Sequence, residues 1–276
     1  MKAIPVSLPR PLRRRAIDLR PLGITLGLLI LWELIARALL ANALLLPPPT
    51  ALVVRGGQLL RSGRLLGDLL ASALRVLLGF GLAFAGAIPL GILLGLYPRA
   101  ERAVSVLLGL LRPLSPPAWI PLAILWFGIG DAPAVFIIFI GTFFSLLVGT
   151  IAATRSLDPH WLATALTLGA SRRQTLRHVV LPGLLPALLT QVRIGLALAW
   201  MCVIAAEMVA VRRGLGFMMS EARNLFRTDD VMVGMITIGL VGLASDRLLA
   251  LLERSWCRWR AELSPSRLYG GAEQEP

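Results

Sequence analysis

The chain has 276 residues, 57% of them hydrophobic, with 28 basic against 15 acidic residues and a formal net charge of +13. Mean hydropathy is +0.77 and the isoelectric point is near 11.6. A balance this basic fits nucleic-acid binding in a soluble chain, but the arginines lie between apolar blocks of about twenty residues, the length that crosses roughly 30 Å of hydrocarbon. The pattern excludes an ordinary soluble domain and a nucleic-acid partner, and predicts an all-α, polytopic membrane protein in contact with lipid.

In chain order, residues 1–21 form a basic leader with Arg10, Arg13, Arg14, Arg15 and Arg20. The first apolar block runs from Pro21 to Ala41. Its end, "ANA" at 41–43, resembles a signal-peptide cleavage site. The block is long for a signal core and carries Glu33 and Arg37, so a retained span is expected, with those two residues as an intrahelical pair one turn apart. "LLPPPTALV" (Leu45–Val53) reads as a proline-stiffened loop, followed by a short helical stretch to Arg64.

Further spans are predicted at about Leu69–Leu96, Val104–Phe127, Pro133–Ala153, Leu184–Val209 and Val231–Leu252, before a basic tail. That gives six. The organisation is a basic N-terminal segment (1–21), one transmembrane domain (22–256) containing a polar loop at 158–182, and a tail (257–276). With the N-terminus inside, the inner segments carry sixteen basic residues and the outer ones seven. The positive-inside bias therefore places both termini and the loop between spans four and five in the cytoplasm.

The third span is interrupted by Pro113, Pro116, Pro117 and Pro121. Irregular backbone at membrane depth survives where protein or a water-filled cavity satisfies it, and broken helices often line transport sites. Pro116, Pro117 and Pro121 are therefore candidate pathway residues, with a packed kink as the bland alternative. Glu207, in "AAEM" at the end of span five, is a fourth candidate, with an ion pair near Arg212 and Arg213 as its structural alternative. Gly91/Gly95 and Gly23/Gly27 each make a Gly-x3-Gly face suited to close helix packing. Trp32, Trp119, Trp126, Trp200 and Trp256 read as interfacial anchors.

No metal site is expected: His160 and His178 are eighteen residues apart without ligand-spaced neighbours, and Cys202 and Cys257 suggest neither a disulfide nor a metal pair. "GLG" at 214–216 lacks the third glycine and strand context of a dinucleotide site. A phosphate-binding loop needs a lysine, and the only one in the chain is Lys2. This chain does not hydrolyse ATP by such a loop.

The loop "DPHWLATALTLGASRRQTLRHVVLP" (158–182) reads as two short helices. Asp158 caps the first, with Pro159 at its first position. Gly169 ends it by accepting a left-handed backbone. Ser171 caps the second, and Pro182 and Pro186 are expected to separate that helix from the next span. A solvated connector would look the same, since no residue in it needs a partner.

The same stretch resembles the cytoplasmic signature of permease subunits of ATP-binding-cassette importers, which reads Glu-Ala-Ala, three residues, Gly, nine residues, Ile, any residue, Leu-Pro. Ala163, Thr164 and Ala165 stand at the Glu-Ala-Ala positions, followed at the signature's spacing by Gly169, Val179, Leu181 and Pro182. The acidic residue is missing, replaced by Ala163. "ASALRVLLGFGLAFAGAIPLGILLGL" (71–96), "LRPLSPPAWIPLAILWFGIG" (111–130), "RIGLALAWMCVIAAEM" (193–208) and "GLGFMMSEARNLFRTDDVMVGMITIGLVGLASDRLL" (214–249) are similar to the nitrate/sulfonate/taurine branch.

The resemblance implies a homodimer of permease subunits in the bacterial inner membrane, two separate ATPase subunits that bind ATP and magnesium, and a periplasmic or lipid-anchored substrate-binding protein. No cofactor is implied on this chain. The loop would dock on the ATPase, Gly169, Ala170 and Ser171 forming the turn and Arg172, Arg173 and Arg177 meeting acidic groups. The solute would be a small oxyanion, a sulfonate or taurine before nitrate, although related permeases serve uncharged pyrimidines.

Two other classes compete. An intramembrane enzyme would need paired nucleophile and base, or paired aspartates, at membrane depth, and the spans show none. An ion-coupled transporter usually carries inverted internal repeats, and none is visible.

Overall fold

A computed structural model describes residues 20–38, 46–111 and 113–256; residues 1–19 of the expected leader (1–21), residues 39–45, residue 112 and the tail (257–276) lie outside the described residues. Every regular element among the described residues is helical. They are α1 (Arg20–Ala38), α2 (Pro49–Arg61), α3 (Arg64–Leu96), α4 (Pro98–Leu111), a 3-10 turn (Pro116–Trp119), α5 (Ile120–Phe127), α6 (Asp131–Arg155), α7 (Pro159–Thr167), the single turn α8 (Arg172–Thr175), a π segment (Leu176–Val180), α9 (Leu181–Ala210), α10 (Leu215–Asn224) and α11 (Thr228–Trp256).

Among the described residues, four helices are long and apolar enough to cross a membrane: α3, α6, the continuous run Arg172–Ala210, and α11 over Thr228–Glu253. The pair Pro98–Leu111 and Pro116–Phe127, bent by 82°, provides a fifth candidate. The prolines that break this third span therefore make a corner rather than a kink. The first expected span is helical from Arg20 to Ala38, with Ile24, Leu28, Leu31 and Leu34 all exposed.

α3 and α6 form the main seam, and α9 packs against α6. Residues without bulk let α3 approach: a Cβ at Gly91 would come within 2.6 Å of Thr150 Cβ, and one at Gly95 within 2.5 Å of Thr154 Cβ. The Gly-x3-Gly reading of this pair holds. Among the described residues, nothing lies within 4 Å of such a Cβ at Gly23 or Gly27. Buried Thr142 and Thr154 each donate their hydroxyl to the carbonyl four residues back, at 2.7 and 2.8 Å, which hides a polar group without a second helix.

The core centres on Ile137 and Ile138 of α6 with Ala199, Val203 and Ala206 of α9. Trp200 lies in this core, 6% exposed, in the middle of α9 rather than at an interface as the sequence predicts. Burial of a large ring in that seam outweighs interfacial anchoring.

Charged contacts fasten the peripheral helices. Glu33 pairs with Arg37 at 2.5 Å, as expected, and also accepts from the Thr50 hydroxyl at 2.9 Å, tying α1 to α2. Arg55 of α2 donates to both Asp230 oxygens, at 2.6 and 2.9 Å, fixing α2 against the first turn of α11. That hydrogen-bonded carboxylate holds the Arg55 guanidinium above its ordinary range. Arg193 of α9 grips Asp246 of α11 at 2.8 and 3.0 Å, and Arg155 of α6 pairs with Glu101 of α4.

Candidate functional site

Local chemistry shapes the 158–182 segment. Asp158 sits in extended backbone and accepts from the His160 N–H at 2.9 Å, capping α7. The helix ends in the left-handed manner: Gly169 has φ +78°, and the Ala170 N–H reaches back to the Ala165 carbonyl at 3.0 Å. A non-glycine residue adopts that φ at a penalty of about 1 kcal/mol. Ser171 and Gln174 then form a reciprocal capping box, with bonds of 3.4 and 2.8 Å. All three punctuation residues act as the sequence predicts.

The end of the segment differs from expectation. Pro182 and Pro186 do not separate the second helix from the following span. α8, the π segment and α9 are one run from Arg172 to Ala210. The backbone widens over Leu176–Val180, around His178, four residues ahead of Pro182, which relieves the clash a proline ring makes with the carbonyl at i−4. Lower down, the Pro186 carbonyl accepts from the Thr190 hydroxyl at 3.1 Å.

Ala165 and Thr175 are buried and seat the two helices against one another, while Ala163, Thr164, Arg172, Arg173 and Arg177 are exposed. Val179 is half-buried, and Leu181 and Pro182 are exposed at the start of α9. Leu166 and Leu168 project at 59% and 81% exposure. The segment thus offers a basic and apolar surface on a short, doubly capped frame.

Of the pathway candidates, Pro116 lines a cavity of about 360 Å³ with Phe144, Ser145 and Gln191. Pro117, in the 3-10 turn, and Pro121, in the first turn of α5, are exposed and line neither cavity. A second cavity, of about 850 Å³, lies between the ends of α6, α7 and α9 and includes Trp161, His178, Pro182 and Thr190.

Glu207 lies elsewhere, fully buried in a polar cluster. Its carboxylate accepts from Arg75 Nη1 at 2.5 Å, from the Ser72 hydroxyl at 2.8 Å and from the Gly216 N–H at 2.9 Å. Arg75 also donates to Asp131 at 2.7 Å and to the Arg213 carbonyl at 2.7 Å. The side chains of Arg212 and Arg213 are not its partners; Arg75, in the second apolar block, is. Asp68 and Ser72 accept from the Gly214 and Leu215 N–H groups at 3.0 and 2.9 Å. Helix α10 has no side-chain cap of its own, so α3 and α9 satisfy its orphan donors. The cluster joins α3, α6, α9 and α10 at one end of the bundle. Sequence reading passed over Arg75, although a lone arginine inside an apolar run is itself a signal.

Residues 87–256 match the model of the family described as binding-protein-dependent transport system inner membrane component. A Methanocaldococcus jannaschii chain described as an ABC transporter permease protein is 42% identical over 84% of this chain and 88% of its own length. The taurine transport system permease protein of Escherichia coli is 35% identical over 88% of this chain and 90% of its own. The bicarbonate transport system permease protein of Synechococcus elongatus is 34% identical over 86% and 88%. Among solved structures, the inward-facing MetNI methionine ABC transporter shares the fold, with a TM-score of 0.58 at 18% identity, covering 69% of this chain and 97% of that one.

Proposed function

From the premise that the chain belongs to the family of binding-protein-dependent transport inner membrane components, as a membrane permease subunit and not an enzyme, we propose that it carries a small oxyanion across the inner membrane by ATP-driven alternating access. Two copies would form the translocation unit, with both termini in the cytoplasm. Two ATPase subunits would bind ATP and magnesium and dock on the 158–182 segments, and a periplasmic or lipid-anchored binding protein would deliver the solute. A sulfonate such as taurine is the first choice, because relatives across the same span carry taurine or bicarbonate in their names. The ion-coupled alternative has no counterpart among those relatives.

The observation that carries the reading is mechanical. The capped turn at Gly169–Ser171 continues through the π segment into α9 without a break. A displacement of a docked loop is then passed directly to a helix that packs on α6 and α3, as a rigid lever requires. The exposed Leu166, Leu168, Arg172 and Arg173 provide an apolar anchor and cations for an acidic groove. The missing signature glutamate, Ala163, removes one charge from that surface and leaves the lever in place.

The test is recovery of the partner ATPase. The chain, co-expressed with the open reading frames that neighbour its gene, should co-purify with an ATPase subunit. Replacing Leu166 and Leu168 together by serine should reduce recovery by about tenfold, the effect of losing roughly 1.4 kcal/mol of interface. Equal recovery by the variant would reject docking through this segment.

A further inference from the structure

The two cavities share a wall. Gly149 of α6 and Gln191 of α9 line both. Where they meet, the Gln191 amide lies directly on the Gly149 backbone, so that a Cβ at Gly149 would overlap it. The larger cavity opens towards α7 and His178; the smaller one leads on to Ser145 and Pro116. Together they make one cleft along the α6–α9 groove, pinched at a single polar side chain.

Gln191 is half-buried and, among the described residues, makes no hydrogen bond. An unpartnered amide in hydrocarbon costs about 2–7 kcal/mol, and polar groups in membrane helices face a bundle interior or a water-filled path. The lining is also uncharged in a particular way: neither cavity is lined by an arginine, lysine, aspartate or glutamate among the described residues. Two residues along α9 from Gln191, Arg193 is turned to α11 by its pair with Asp246.

We propose that Gln191, backed by Gly149, is the constriction of the solute path and reads solutes by hydrogen bonding rather than by charge. Its amide offers two N–H donors and a carbonyl acceptor. The donors suit sulfonate or carboxylate oxygens, and either group suits an uncharged polar solute. Selectivity for charge would then reside outside this part of the chain. The inference rests on the reading of the chain as a permease, and its test needs no transport.

Ser145→Cys, beyond Gln191 as seen from the larger cavity, is introduced into a chain carrying Cys202→Ala and Cys257→Ser. This chain is expressed with its ATPase subunit and examined in inverted membrane vesicles at pH 8, above the ordinary histidine range. The probes are two membrane-impermeant methanethiosulfonates of similar size, one anionic and one cationic. Adding Gln191→Ala should speed labelling of the thiol by about tenfold or more, with the two reagents within tenfold of one another, since a fixed charge in a cleft shifts arrival rates by about 10- to 1000-fold. Unchanged labelling on adding Gln191→Ala, or no labelling at all because a second copy or lipid fills the cleft, would overturn the constriction. A rate ratio between the reagents above tenfold would overturn the uncharged path. If the ATPase subunit failed to co-purify while labelling behaved as stated, the importer reading would fail and the cleft would stand.

Discussion

Removing the Glu207 carboxylate tests what the buried cluster does. Glu207 is fully buried and Arg75 is 6% exposed, so neither charge is screened by water. Glu207→Ala deletes the acceptor of Arg75 Nη1, of the Ser72 hydroxyl and of the Gly216 N–H. Breaking one side of a buried pair costs about 3–5 kcal/mol, and an orphaned buried donor about 1–3 kcal/mol more. Asp131 remains on Arg75 at 2.7 Å and offsets part of this, so a net loss of about 4 kcal/mol is expected. At about 2–4 °C per kcal/mol for a domain of this size, the melting temperature should fall by about 10 °C.

The assay is thermal unfolding of the purified chain in detergent, followed by tryptophan fluorescence. The double variant Arg75→Met with Glu207→Met removes both charges together and should recover to within about 2 kcal/mol of the parent. If Glu207→Ala melts within 2 °C of the parent, or the double variant is as unstable as the single, the clamp reasoning is wrong.

Gly169→Asp should leave membrane levels and the ATPase activity of the complex in place while uptake falls about tenfold or more: nothing lies within 4 Å of a Cβ there, and the left-handed backbone costs aspartate only about 1 kcal/mol. Unchanged uptake would count against the lever. Gly91→Leu should reduce folded yield sharply, since overpacking costs about 1–3 kcal/mol or more where a Cβ already meets Thr150 at 2.6 Å. Gly23→Ala, with no neighbour within 4 Å, should be neutral or stabilising by up to about 1 kcal/mol; equal losses in the two variants would refute the packing argument. Asp158→Ala should weaken the α7 cap by about 1 kcal/mol, read as roughly fivefold faster amide exchange at His160. No change in exchange would show that the cap bond carries no weight.

What the sequence revealed depended on range. Asp158, Gly169 and Ser171 act on backbone groups within a few residues, so their roles follow from residue type and spacing. The apolar blocks that became α3, α6, α9 and α11 are legible for the same reason. Pro182 and Pro186 misled because a proline's local rule is to end a helix; only the widened backbone at 176–180 lets this one continue. The Arg75–Glu207 pair spans 132 positions, and proximity in sequence pointed to Arg212 and Arg213 instead. Gly91/Gly95 and Gly23/Gly27 show the same motif, yet among the described residues only the first pair presses against another helix, a distinction that depends on the fold. Gln191 drew no notice because one amide in an apolar helix has no pattern; its place becomes visible only when α6 lies against it.

The central claim is that this chain moves a solute when a partner hydrolyses ATP. Proteoliposomes holding the chain with its ATPase subunit, supplied with the binding protein and radiolabelled taurine, measure it directly. The account predicts uptake that requires ATP and binding protein together and is lost in Gly169→Asp. Uptake that proceeds without ATP and follows an imposed ion gradient would contradict it.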